Sequence, residues 1–245
     1  MLDALAGTGV VLRFADGTAP VYGINPGQHA VAAFYRNSAI HWFINRAITE
    51  LCWFMALDSA SVEPLAQAWD QAFALRDLLK FDFFFSDRET FIAEIKAELP
   101  LLDPHFRSRA TDPGSLRLAL LQAPFLIAHR VLPAFLEAYY VVADRLNAHP
   151  VDKVIDKPAF IAECCNVGKQ YLLQHRLRNP ECVSKELFGN ALQLVANRNL
   201  LKPGDATLAA RRAAFASQLL SLVSAVGAID VLDQQRLTNL LRSTE

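Results

Sequence analysis

The sequence predicts a mainly α-helical fold, in which a short β-hairpin precedes a multi-helix bundle. The 245 residues are 53% hydrophobic and 20% charged, a composition more apolar than that of a typical soluble domain and suited to several buried helices. Helix-start signals are frequent after residue 26. Strand-forming runs are confined to the first part of the chain, where they flank an Asp-Gly pair.

The first 26 residues predict the end of a helix followed by the hairpin. Val10–Phe14 and Ala19–Ile24 are β-rich runs joined through Asp16-Gly17, a pair typical of a type I′ turn. A lone hairpin is marginal in water, so it must pack against something. A helix, a hairpin and a long helix resemble the last part of a winged-helix unit. Residues 1–26 are therefore interpreted as a winged-helix-like remnant, and residues 27–245 as a helical domain.

The stretch Pro26–Leu57 predicts one long helix, with Asn25 as its N-cap. Only three charged residues occur in it, so protein is expected on most of its sides. One narrow polar stripe has a spacing of four residues: Asn37, His41, Asn45 and Thr49. We expect buried hydrogen bonds from this stripe to neighbouring helices. The alternative is a polar groove in which His41 exchanges a proton.

Further helices are predicted by capping signals and apolar runs over residues 61–80, 87–100, 113–149, 158–176, 185–197, 207–229 and 234–241. Pro124 and Pro133 divide or kink the third of these. Ser86 and Glu89 are expected to form the capping box of the second, which ends at Pro100. Four phenylalanines in residues 81–85 are expected to fill the core between helices.

Composition argues against several classes of protein. The net charge of −1 provides no basic field of the kind that drives nucleic-acid binding, so no nucleic-acid partner is expected. The four cysteines form no Cys-x-x-Cys pair and have no histidine at zinc-site spacing, so neither a metal nor a cofactor is expected. No signal peptide is evident. The longest uncharged candidate for a transmembrane helix, Ala213–Ile229, falls short of the roughly 20 apolar residues needed to span a bilayer.

No familiar catalytic motif occurs in the sequence. It contains no Gly-x-Gly-x-x-Gly, P-loop, Gly-x-Ser-x-Gly or His-Glu-x-x-His. None of the six histidines begins a His-x-x-x-x-Asp motif, so none has a local carboxylate to orient it as a general base. No catalytic residue is therefore assigned.

A cluster of basic residues is the one candidate for binding anions: Lys169, Arg176, Arg178 and Lys185, with His175 among them. Arginine forks match phosphate oxygens, so an anionic membrane surface is a candidate partner. The alternative is that these are solvated helix ends, where cations also suit the helix dipole. Arg211 and Arg212 are assigned to solvent in the same way.

Phe34-Tyr35-Arg36-Asn37, followed by His41, resembles a segment downstream of the catalytic domain in membrane-bound, PlsB-type glycerol-3-phosphate acyltransferases. Further stretches similar to that family occur in the same order: residues 20–24, 79–85, 184–188 and 196–198. Each motif alone is weak, and their shared order carries the resemblance. It covers most of the chain and is strongest with actinobacterial members.

The resemblance implies a specific role. In that family an α/β domain carries the chemistry, and its His-x-x-x-x-Asp histidine activates glycerol 3-phosphate to attack an acyl thioester. Those motifs are missing here, which implies a truncated frame or one half of a split gene, without activity alone. The chain would then brace a catalytic domain, in cis or in trans, and help hold it peripherally at the cytoplasmic face of the membrane. The candidate structural or docking residues are Tyr35, Arg36, Asn37, His41 and Asn45.

The alternative hypothesis is an unrelated helical interaction module with a winged-helix contact to DNA. The near-neutral charge and the lack of a basic recognition helix argue against DNA as the partner.

Overall fold

The computed structural model describes residues 2–25, 27–58, 64–103, 120–123 and 125–242. The chain divides into two compact units, an N-terminal unit (Met1–Phe43) and a helical unit (Ile44–Glu245). The prediction of a mainly α-helical fold with a short hairpin at its start is confirmed. The division into domains at residue 26 stays a prediction.

The N-terminal unit is built of α1 (Leu2–Gly7), β1 (Val11–Phe14), β2 (Val21–Ile24), α2 (His29–Ala39) and a 3-10 helix (Ile40–Phe43). The strands are antiparallel, with Val11 opposite Ile24 and Phe14 opposite Val21. The hairpin prediction is thus confirmed. The prediction of a type I′ turn is wrong. The connection between the strands has six residues, 15–20, instead of two, and the φ of Gly17 is not positive as that turn requires.

The prediction of a single helix over residues 26–57 is wrong at the middle of that stretch. There the 3-10 helix separates α2 from α3 (Ile44–Asp58). Because a 3-10 helix has three residues per turn, it breaks the spacing of four on which the polar stripe depends. The start also differs from the prediction: the N-cap is Gln28 rather than Asn25, and Pro26 lies outside the described residues.

The remaining elements of the helical unit are α4 (Pro64–Leu78), α5 (Arg88–Leu102), α6 (Ala128–Val131), α7 (Pro133–Ala148), α8 (Lys157–Leu173), a 3-10 helix (Pro180–Cys182), α9 (Lys185–Asn197) and α10 (Ala206–Arg242). Ten of the sixteen residues of α7 are buried, and α7 packs against α8, α9 and α10. Helix α3 packs against α4, α5, α6 and α10. Helices α3 and α7 therefore organise the core of this unit.

The limits of α5 differ from the prediction at both ends. Its N-cap is Asp87, whose carboxylate accepts a hydrogen bond from the Thr90 amide at 2.9 Å. The prediction of a capping box formed by Ser86 and Glu89 is therefore wrong. Pro100 lies inside α5 instead of ending it.

Helix α10 is continuous over 37 residues, where two helices were predicted. Within the described residues it is the one helix whose length and composition would allow it to cross a membrane, so the prediction that no segment is long enough is wrong. It nevertheless buries Arg212 and Arg236 and packs along α7. In its most apolar 18-residue stretch, 33% of the residues are buried in the protein.

The aromatic segment 81–85 fills the core only in part. Phe83 is buried, whereas Phe84 is fully exposed. Just before Phe83, the Asp82 carboxylate accepts hydrogen bonds from the Tyr139 hydroxyl at 2.8 Å and the Asn190 amide at 2.9 Å. The segment is therefore held to α7 and α9 by a polar contact as well as by ring packing.

Candidate functional site

The five residues predicted as structural or docking contacts fall into two groups. Tyr35, Asn37 and His41 are exposed on the N-terminal unit, and Arg36 is half-buried with its guanidinium 2.9 Å from the Asn37 side-chain oxygen. Asn45 belongs to the helical unit and is half-buried. The docking role of these residues stays a prediction.

The expected row of buried hydrogen bonds along the polar stripe is confirmed only at one position. The Asn45 amide donates to the carboxylate of Glu94, in α5, at 2.9 Å. Thr49 is buried, but its hydroxyl donates to the carbonyl of Asn45 in its own helix at 2.7 Å. Asn37 and His41 are exposed, so for them the expectation is wrong.

A buried ion pair lies within α3, and its carboxylate also binds the start of α6. Glu50 has no exposed surface, and its carboxylate lies 2.8 Å from the Arg46 Nε. It also accepts hydrogen bonds from the amides of Ile127 and Ala128, both at 2.8 Å. Burial raises the pKa of Glu50, and the guanidinium and the two amides oppose that rise. Sequence reasoning missed this site, although two opposite charges four residues apart in an apolar helix were the available signal.

The assignment of Arg212 to a solvated helix end is wrong. Arg212 is 1% exposed, and its guanidinium donates to the carbonyls of Leu200 at 2.9 Å and His149 at 3.1 Å. Among the described residues no carboxylate lies within ion-pair distance of it, and burial lowers its pKa. Arg212 therefore satisfies one backbone carbonyl at the C-terminal end of α7 and one in the segment that follows α9.

A groove of about 660 Å³ lies between α7 and α10. The segment that follows α8 also lines it, and three members of the predicted basic cluster belong to that segment: His175, Arg176 and Arg178. Lys169 and Lys185 are exposed but do not line the groove. The fold thus brings together Arg176 and Arg178 and leaves the two lysines apart from them.

The chain reverses sharply where this segment leaves α8. His175 has a φ of 56°, in the left-handed region, and the amides of His175 and Arg176 donate to carbonyls in the last turn of α8. These are the bonds of a Schellman motif, in which glycine is the usual residue at the left-handed position. Because histidine stands there, sequence reasoning continued the helix to residue 176 and missed the reversal.

Glu137, from the buried face of α7, holds the same segment in place. It is buried, and its carboxylate accepts hydrogen bonds from the amides of Arg178 at 3.1 Å and Asn179 at 3.0 Å. Burial raises the pKa of Glu137, while these amide contacts lower it. The carboxylate therefore orders the loop that carries the arginines.

The two arginines of the groove have different partners. The Arg176 guanidinium donates to the Tyr140 hydroxyl at 3.1 Å and lies 3.7 Å from the centre of the Tyr171 ring. In the described part of the chain it has no carboxylate partner. Arg178 lies 3.4 Å from the Asp230 carboxylate, and its side chain is 64% exposed. The Arg178 guanidinium packs against α10 at Gly227, where the absence of a side chain allows this close approach.

His129 lines the same groove but is not arranged as a general base. Its Nε2 accepts a hydrogen bond from the Arg130 Nε at 3.0 Å, and burial lowers its pKa. The described residues contain no group of three side chains able to ligate a metal, and all four cysteines are free thiols. The arrangement is thus suited to holding an anion by arginine, with apolar walls beside it.

Comparison with known proteins gives a consistent result. Residues 1–204 match the model of the family described as "Glycerol-3-phosphate acyltransferase C-terminal region". The chain is 42% identical over 243 residues to the protein named "Putative acyltransferase plsB1" in Mycobacterium tuberculosis strain H37Rv, and the same values hold for Mycobacterium bovis. The alignment covers 96% of this chain and 38% of those relatives. No solved structure matches.

Proposed function

Because this chain belongs to the glycerol-3-phosphate acyltransferase family, as its C-terminal region, we propose that it is a non-catalytic part that docks on and braces the catalytic domain of such an enzyme. The assembled enzyme would transfer an acyl group from acyl-CoA or acyl-ACP to glycerol 3-phosphate, an early step of phospholipid synthesis. The chain spans 38% of the length of its mycobacterial relatives. A catalytic partner, in cis or in trans, is therefore part of the proposal.

The observation that carries this proposal is the apolar surface of the N-terminal unit. Phe34 and Trp42 are 72% and 75% exposed, and further large apolar side chains of the unit are exposed with them: Phe14, Val21, Ile24 and Tyr35. Burying apolar surface contributes about 25 cal/mol per Å², so such side chains favour association. Exposed Asn37 and His41 would supply polar groups at the edge of the interface.

We expect the 245-residue protein to transfer no acyl group by itself, because it has no His-x-x-x-x-Asp motif. A chimaera in which it replaces the matching part of the M. tuberculosis relative should transfer acyl groups from acyl-CoA to glycerol 3-phosphate. In the chimaera, replacing both Phe34 and Trp42 by alanine should lower that rate about tenfold or more, as expected for side chains at the centre of an interface.

Leu173→Ala is the matched control for this experiment, since Leu173 is equally exposed but lies on α8 of the helical unit. Circular dichroism would establish that each variant keeps its helical content. Transfer by the isolated 245-residue protein would contradict the non-catalytic role. Equal activity of the double variant and the control would contradict docking through the N-terminal unit.

We further propose that the chain meets the cytoplasmic face of the membrane peripherally, through the exposed cations Lys169 and Lys185. Crossing the bilayer with α10 would expose its buried arginines to lipid, which is costly. The protein should therefore sediment with vesicles that contain anionic lipid and less with neutral ones. Replacing both lysines by glutamine should weaken sedimentation, and equal sedimentation with both kinds of vesicle would contradict the proposal.

A further inference from the structure

We propose that the groove between α7 and α10 binds one amphiphilic molecule, with an anionic phosphate or carboxylate head and a single aliphatic chain. All of the residues involved lie within the helical unit, so the proposal does not rest on docking through the N-terminal unit. It also differs from surface binding to a membrane, because the ligand would enter a defined cavity of about 660 Å³. Cavities of about 300–1,000 Å³ are typical of small-molecule sites.

Arg176 provides the strongest recognition of an anionic head. Its guanidinium is held by the Tyr140 hydroxyl and stacks on the Tyr171 ring, contacts that fix its position but leave its charge without a carboxylate among the described residues. A guanidinium ordered in this way keeps further N–H groups to donate to two oxygens of one head group. Arg176 is therefore placed to bind a phosphate or carboxylate.

Arg178 provides a second cation at the same groove. Its pair with Asp230 is long, at 3.4 Å, and its side chain is largely in solvent, where such pairs are weak. An anion in the groove would compete for this guanidinium without breaking a buried interaction. The second carboxylate of the groove, Glu137, is already engaged by the amides of Arg178 and Asn179, so its charge is balanced by backbone donors.

His129 is a further polar residue in the lining of the groove. Its side chain is 7% exposed and lines the groove, yet its Nδ1 is buried without a hydrogen-bond partner in the described structure. Because Nε2 accepts from the Arg130 Nε, the proton of a neutral ring must be on Nδ1. Buried donors in native proteins almost always have a partner. Because Nδ1 has no exposed surface, the ring would have to move for an oxygen of a bound head group to reach it.

The rest of the lining is suited to an aliphatic chain. Most of its apolar members come from α7 and α10: Pro133, Leu136, Leu220, Val223, Val226 and Val231. Leu220 and Val231 are about half exposed, so both present apolar surface at the groove. An aliphatic chain along α10 would cover them while its head lies at the arginines.

Titration calorimetry of the 245-residue protein with decyl phosphate and with decanoate, below their micelle concentrations, tests the proposal. We expect saturable binding of one equivalent, weakened about tenfold in Arg176→Gln and abolished when Arg178→Gln is added. Ser224→Trp, at an exposed position of the groove wall, should also abolish binding by filling the cavity. Lys202→Gln, an exposed cation outside the groove, is the matched control and should bind normally.

Decyl phosphate and decanoate distinguish the two head groups, and decanol and inorganic phosphate test the chain and the head separately. Tight binding of decanol would overturn recognition of the anionic head, and equally tight binding of inorganic phosphate would overturn recognition of the chain. Normal binding by Ser224→Trp or by the double arginine variant would overturn the site. Tighter binding of an acidic amphipathic peptide, lost in the same variants, would assign the groove to a protein partner. Since no catalytic domain is present, none of these results affects the proposed docking role.

Discussion

Replacing Glu50 by alanine is expected to lower the free energy of unfolding of the helical unit by about 3–5 kcal/mol, the cost of breaking a buried ion pair by removing one partner. Arg46 would keep its charge in a buried site without its carboxylate at 2.8 Å. The amides of Ile127 and Ala128 would also lose their acceptor. Urea unfolding followed by circular dichroism measures the loss.

Glu98→Ala is the matched control for this substitution. Glu98 also faces Arg46, but at 4.0 Å and from a partly exposed position, so its removal should cost no more than about 1 kcal/mol. Glu50→Gln keeps a hydrogen-bond acceptor and removes the charge, so its effect should lie between the other two. A loss in Glu50→Ala no larger than the loss in Glu98→Ala would contradict the role assigned to the buried pair.

Arg212→Ala is expected to be the next most damaging change, with a loss of about 2–4 kcal/mol in the free energy of unfolding. Arg212 is almost completely buried, and its removal leaves both a cavity and two unsatisfied carbonyls, those of Leu200 and His149. Thermal and urea unfolding of the purified variant would measure this loss.

The neighbouring Arg211 offers a control on the same helix turn. It is exposed, and its guanidinium donates to the carbonyl of Arg198, so Arg211→Ala should change stability by about 0.5 kcal/mol. Arg212→Lys keeps the charge but loses the planar fork that reaches two carbonyls, and should recover only part of the loss. Equal stabilities of the Arg211 and Arg212 alanine variants would contradict a structural role for the buried guanidinium.

Much of the fold could be predicted from local patterns. Helix α9 begins and ends where capping and periodicity placed it, because Ser184 caps its first turn by accepting from the Leu187 amide. The hairpin and most other helices were predicted for similar reasons. Some errors lie where tertiary contacts overrule local preference. One is the continuity of α10 through residues 229–234, where the buried Asp233 accepts a hydrogen bond from Arg130 of α6.

The candidate site could be predicted only in part. Arg176 and Arg178 were selected because they are cations close together in the sequence, and they do line one groove. Lys169 and Lys185 were selected for the same reason, but they do not line the groove. His129 and the wall formed by α10 come from distant parts of the chain, and no local pattern connects them.

The sequence by itself determined the class of fold, the order of most helices and the family, because these depend on periodicity, capping residues and ordered motifs that are written locally. Only the tertiary structure decided which charges are buried and which face solvent. Arg212 and Glu50 look like ordinary helix charges until the ends of α7 and α6 are packed against them. Burial and cavity shape depend on contacts between residues far apart in the chain, and such contacts leave no local signature in the sequence.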